Sequence, residues 1–170
     1  MTARHHRHRG TTRGWIAVAC LVATGLAAGR AQAQKPFDQL EVRPSQPLDF
    51  GPIVAGVPST VDWSDAARAG VWLVRGGRNA EVVVFLTLPS ELVGPGGARL
   101  PLHFGAQDAA WFRHQVHRET LFDPSSPFVD QLGVNGRGQV QLGGTVMPDF
   151  AQPSGEYTAT VTLTVAYVGN

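Results

Sequence analysis

The chain has 170 residues and a mass of 18.1 kDa, room for one ordinary domain and not comfortably for two. Met1 to Arg13 is basic and His-rich, Trp15 to Ala28 is an apolar run about fourteen residues long, and Ala31-Gln32-Ala33 has the small-x-small form that signal peptidase cuts. Residues 1–33 therefore read as a signal peptide and Gln34 as the expected first residue of the mature chain. Five arginines leave with the signal, which turns the formal net charge of +1 into −4. With one lysine and eight dispersed arginines left, the mature chain lacks the clustered cations that phosphate neutralisation needs, so no nucleic-acid partner is expected. The apolar stretch is too short for a membrane span and no later one replaces it, so no span is expected in the mature chain.

The one cysteine, Cys20, lies inside the signal, which leaves the mature chain without a disulfide or a thiolate metal ligand. A lipoprotein reading of Ala17-Val18-Ala19-Cys20 is disfavoured, because only five apolar residues precede the cysteine and mostly apolar ones follow it. Stability must then come from packing alone.

In chain order, residues 34–47 carry Pro36, Pro44 and Pro47 around the short alternation Leu40-Glu41-Val42 and read as an extended N-terminal arm. Residues 48–170 read as one domain. Strands are expected at Leu48 to Ile53, Ser59 to Trp63, Val71 to Arg75, Glu81 to Leu88, Leu100 to Phe104, Gln139 to Val146 and Glu156 to Tyr167. The Glu81 segment is apolar on both faces, as a strand between two layers should be, and Pro89 ends it. In the last segment Tyr157, Ala159, Val161, Leu163, Val165 and Tyr167 share one face, and a threonine ladder fills the other. Asp65 to Ala69 and Ala109 to His114 can make a turn or two of helix at most. Gly76-Gly77-Arg78-Asn79, Gly94-Pro95-Gly96-Gly97, Asn135-Gly136-Arg137-Gly138 and Gln152-Pro153-Ser154-Gly155 supply turns. About seven short antiparallel strands with this punctuation describe an all-β sandwich of immunoglobulin-like size.

Candidate chemistry is sparse. His114, His117 and Glu119 form the one cluster with metal-ligand spacing, beside Trp111-Phe112-Arg113, which reads equally as a loop pinned by aromatics. No serine sits in a Gly-x-Ser-x-Gly elbow. Asp123, Asp130 and Asp149 lie in connections where carboxylates commonly cap turns, and Asp62-Trp63-Ser64-Asp65 lacks the ligand spacing of a calcium loop. Gly133 to Gly138 reads as a hairpin and not a phosphate cradle. Trp63, Trp72, Trp111, Phe112 and Phe128 can form a carbohydrate platform, but a cysteine-free domain of this size needs them for its core. No cofactor and no metal is expected, and no catalytic residue is assigned.

Leu48-Asp49-Phe50-Gly51-Pro52-Ile53, the Val82 to Pro89 strand, Leu142-Gly143-Gly144-Thr145-Val146 and the run from Gly155 to Tyr167 together resemble secreted bacterial domains similar to spore coat protein U and, more distantly, chaperone-usher fimbrial subunits. Residues 106–128 have no counterpart in that resemblance. Fimbrial subunits end in a glycine followed twelve residues later by a tyrosine, the spacing of Gly155 and Tyr167; here Val168-Gly169-Asn170 extend further, and the subunit disulfide is missing. The resemblance implies an exported, non-enzymatic subunit of a surface fibre or coat layer, found in the periplasm, on the cell surface or outside the cell. It implies an assembly strand containing Gly155, Tyr157, Val161, Leu163, Val165 and Tyr167. It also implies strand exchange with neighbouring copies or related subunits, a donor arm carrying Phe37, Leu40 and Val42, and handling by a periplasmic chaperone and usher. The alternative is a self-complete secreted sandwich that binds a protein or carbohydrate partner; an enzyme built on His114, His117 and Glu119 comes third.

Overall fold

The computed structural model describes residues 39–113 and 119–169. It is an all-β fold of twelve strands: β1 (Glu41–Gln46), β2 (Ser59–Val61), β3 (Gly70–Arg75), β4 (Glu81–Thr87), β5 (Glu91–Val93), β6 (Arg99–His103), β7 (Ala109–Arg113), β8 (Glu119–Phe122), β9 (Phe128–Gln131), β10 (Arg137–Leu142), β11 (Gly144–Val146) and β12 (Thr162–Tyr167). The pairings are antiparallel and form three sheets, in the orders β1-β3-β10-β7-β8, β2-β11-β6-β5 and β12-β4-β9.

The count of twelve corrects the expected seven, for identifiable reasons. Leu48 to Ile53 forms no strand, because Asp49 Oδ1 accepts the Gly51 N–H at 2.8 Å and Gly51 sits at φ 65°, which bends the chain. Gln139 to Val146 divides at Gly143, where a Cβ would collide with the backbone of Val61 and Trp63. Ala109 to Arg113 is a strand and not a helical turn, held in register from Leu142↔Ala109 to Gly138↔Arg113. Strands β5, β8 and β9 have three or four residues each, too few to show a period.

The core has two parts. The first sheet faces the β12-β4-β9 sheet across Trp72, Val74, Val82, Val84, Trp111, Phe122, Leu132, Val140 and Leu142, and Phe122 stacks on Phe128 at 4.3 Å between ring centres. Trp111 is fully buried, and its Nε1 donates to the Gln131 carbonyl at 3.3 Å, which satisfies the one polar atom it takes inside. The second part lies on the β2-β11-β6-β5 sheet, where Phe50, Val61, Leu100, Leu102 and Val146 are covered by Leu48, Ile53, Leu92 and Tyr157. Phe104 touches both parts. Burial of each large side chain contributes about 1.5 to 3 kcal/mol, which makes this core the chief source of stability.

Two turns tie one end together. Gly76 donates to the Gly136 carbonyl at 2.8 Å, and Gly136 stands at φ 73° where a Cβ would strike Gly76 O. Asn79, at φ 52°, closes the expected Gly76 to Asn79 turn, a left-handed position that asparagine tolerates.

Candidate assembly groove

β12 is an edge strand. It pairs with β4 through six positions, from Thr162↔Thr87 to Tyr167↔Val82, and with no strand on its other side among the described residues. Beyond the strand Val168 donates its N–H to Glu81 O at 3.0 Å. Lateral direction alternates along an antiparallel strand, so Ala166, Thr164 and Thr162 turn their backbone groups toward β4, while Leu163 and Val165 turn theirs to the open side. Their side chains point into the first core part but stay half-buried, in contrast to the fully buried Val82 and Val84 beside them.

The expected strand from Glu156 to Tyr167 is regular only from Thr162. Thr158 makes one isolated bridge to Val93, with bonds of 2.9 and 3.1 Å, and Ala159, Thr160 and Val161 leave the ladder. The predicted assembly residues are thereby split between the two cores. Val161, Leu163, Val165 and Tyr167 lie on the first; Tyr157 lies on the second, with its ring over Gly94. Tyr157 OH accepts from Gln152 Nε2 and donates to the Pro153 carbonyl, both at 2.7 Å. Gly155 sits at φ 151° against the Pro95 ring, a place with no room for a side chain. Tyr167 OH accepts the Gly77 N–H at 2.7 Å.

Opposite β12 runs β1. Residues 41–46 of the expected arm pair with β3 of the same chain, from Glu41↔Arg75 to Gln46↔Val71, with an irregularity between Pro44 and Gln46. Leu40 and Val42 of the expected donor arm pack on the first core part of their own chain; Phe37 lies outside the described residues. Between β1 and the Ala159 to Val161 segment opens a groove of about 440 Å³, floored by Trp72, Leu102 and Leu92 and bordered by Pro44 to Leu48. A second cleft of about 630 Å³ shares Pro47, Leu48, Phe50 and Leu92 with it and continues past Tyr157 to Pro153. Both clefts run along the seam between the segments before β2 and before β12.

Elsewhere the carboxylates are occupied with turns. Asp123 Oδ1 takes the Ser125 N–H at 2.8 Å and hydroxyl at 2.6 Å, and Asp62 takes the same pair from Ser64; these bonds hold both acids below the usual carboxylate range. Asp65 is lowered by Arg68, whose Nε lies at 2.8 Å, and by the Ala67 N–H. Asp130 is bridged by Arg113. Of the candidate metal cluster, His114 and His117 lie outside the described residues and Glu119 is exposed at the start of β8. Among the described residues no group of three or more histidine or acidic side chains is placed to hold a metal ion. Of the aromatic candidates, Trp72 and Trp111 are core and Phe128 packs against it, whereas Trp63 and Phe112 meet at 6.1 Å as a half-buried pair. No described helix is long and apolar enough to cross a membrane. No protein-family model and no curated protein matches this chain.

Proposed function

We propose that the protein is an exported, non-catalytic structural subunit of a surface fibre or coat layer that assembles by β-strand addition along the open edge of β12. The observation that carries this reading is a final strand paired on one side only among the described residues, whose core-facing Leu163 and Val165 are half-covered beside an apolar groove. Unpaired N–H and C=O groups with exposed core next to them bind an extended segment through main-chain bonds and side-chain pockets at once. β1 is the poorer acceptor of the two facing edges, because Pro44 has no N–H to offer. The donor is the segment around Phe37 of a neighbouring or related subunit, with a periplasmic chaperone and usher as the partners that hold the edge before assembly. The head-to-tail contact is heterologous and repeats without closing, as a fibre requires.

The absence of cysteine after Cys20 makes a clean test. Phe37→Cys and Leu163→Cys are made in separate copies, mixed and oxidised. A disulfide-linked dimer, formed as readily in high salt as in low, is the expected result. Monomers that stay unlinked at high concentration overturn the reading. They would favour the second one, a self-complete binding module, whose supporting observation is that Leu40 and Val42 already cover their own core and leave the 630 Å³ cleft for another partner.

A further inference from the structure

Gly136 is the one glycine in the chain that directly follows an asparagine or an aspartate. A glycine in that place leaves the asparagine Cγ open to the next backbone nitrogen, because no side chain stands beside the peptide that would attack it. The turn holding the pair runs from Gly133 to Arg137: Gly133 N–H donates to the Arg137 carbonyl at 2.9 Å, and Gly136 N–H donates to the Gly133 carbonyl at 2.8 Å. Asn135 Oδ1 accepts the Arg137 N–H at 3.1 Å. This Asx turn curls the Asn135 side chain back over the Gly136 peptide, which makes Cγ a neighbour of the Gly136 nitrogen. The bond to Oδ1 also supports the negative charge that an attacked amide develops on its oxygen.

The nucleophile is restrained by the same turn. A peptide nitrogen attacks only after it gives up its proton, and the Gly136 proton is committed to the Gly133 carbonyl on a residue that is itself buried. The facing turn reinforces this. Gly133 O accepts a second bond from the Asn79 N–H at 3.2 Å, and Gly136 O accepts the Gly76 N–H at 2.8 Å, so the Gly76 to Asn79 turn grips a carbonyl on each side of Asn135. Tyr167 OH holds that turn in place through the Gly77 N–H at 2.7 Å. The electrophile is thus prepared while the nucleophile is guarded, and reaction waits on local opening of the turn.

We infer that Asn135 is a self-modification site, at which the chain converts its own side-chain amide to aspartate and isoaspartate at a rate set by the clamp between the two turns. When the turn opens, hydroxide takes the Gly136 N–H proton and the nitrogen forms a bond to Asn135 Cγ. The Cγ–Nδ2 bond then breaks, Nδ2 takes a proton from water, and ammonia leaves a cyclic imide behind. Water opens the imide at either carbonyl. Breaking the new bond from nitrogen to Cγ gives aspartate; breaking the original peptide bond gives isoaspartate, in which the main chain runs through Cβ and Cγ. The two products differ in consequence. Aspartate keeps an oxygen for the Arg137 N–H, whereas isoaspartate lengthens the main chain between Asn135 and Gly136 and carries Gly136 O away from Gly76, so the clamp cannot close again. This inference stands apart from the assembly reading, since it uses neither β12 as an edge nor the groove beside it.

The test holds the full chain in mildly alkaline buffer made with heavy-oxygen water, once folded and once in guanidinium chloride, with samples taken over weeks. Trypsin releases the peptide from Glu119 to Arg137, in which replacement of the amide by a labelled hydroxyl registers as a mass gain and the two products elute separately. The unfolded chain should be modified at Asn135 before Asn79. The folded chain should react at Asn135 at least about tenfold more slowly, the factor that about 1.4 kcal/mol of turn opening gives. Tyr167→Phe leaves the reacting pair untouched but removes the oxygen that holds Gly77, and should raise the folded rate toward the unfolded one. Equal rates in the folded and unfolded wild type, earlier modification of Asn79, or a folded rate that Tyr167→Phe leaves unchanged overturns the assignment; if that variant does not fold, the wild-type comparison decides alone. Amide hydrogen exchange supplies the second readout: chains carrying isoaspartate should lose protection at Gly76, and retained protection there overturns the opening of the clamp.

Discussion

β3 and β12 are both six-residue strands that turn every second side chain toward the core, yet they occupy opposite circumstances. β3 is paired on both sides, and Trp72 and Val74 are buried beneath it; β12 is paired on one side, and none of its residues is fully buried. Inward-facing apolar side chains at every second position do not by themselves distinguish a strand at the centre of a sheet from one at an edge awaiting a neighbour. What separates them is the coverage supplied by other segments, and the energetic worth of an apolar side chain depends on that coverage.

The sharpest way to break this contrast is at the centre. Trp111→Ala removes a fully buried ring and should cost about 3 to 5 kcal/mol in denaturant unfolding, enough to unfold a marginal domain. Leu163→Ala should cost about 1 kcal/mol in the isolated monomer, because its side chain is only half-covered, and distinctly more in any assembled form. Equal losses for the two substitutions in the monomer would show that β12 is already as covered as the centre, which removes the basis for an acceptor edge.

Next in size is the clamp between the turns. Gly136→Ala forces a Cβ into Gly76 O at a positive φ and should lower stability by about 1 to 3 kcal/mol, whereas Gly96→Ala, at φ 64° with open space around it, should lower it by about 1 kcal/mol. Thermal melts of the two variants side by side separate collision from backbone preference.

The smallest effect expected is on pH. Asp62, Asp65 and Asp123 are all held below their ordinary value by hydrogen bonds, so their contribution is complete above the ordinary carboxylate range and is lost as pH falls through the lowered values. Melting temperature should therefore fall a little between pH 5 and pH 2, and Ser125→Ala should flatten part of that slope by removing the hydroxyl donor to Asp123. A melting temperature that rises on acidification in that window would contradict the sign.

The all-β class was legible because Glu81 to Leu88 is a short continuous apolar run ended by Pro89 and Thr162 to Tyr167 alternates openly, with Gly- and Pro-rich turns between the strands. Less legible was the fate of the ends. Pro44 and Pro47 made residues 34–47 look detached, but a proline sits comfortably on an edge strand, and β1 is one. The break at Val161 escaped the alternation because Tyr157 and Ala159 keep the apolar phase while the backbone leaves β4 for a single bridge to Val93.

Gly143 has a mechanical consequence as well. One uninterrupted segment passes from β10 in the first sheet, through this glycine, to β11 in the second, so Leu142 and Val146, one in each part of the core, are four residues apart on the same tether. Neither part can loosen without pulling on the other through that tether, and Phe104 adds a second link. Calorimetric and van't Hoff enthalpies should coincide in a single transition, so that the bipartite interior melts as one cooperative unit.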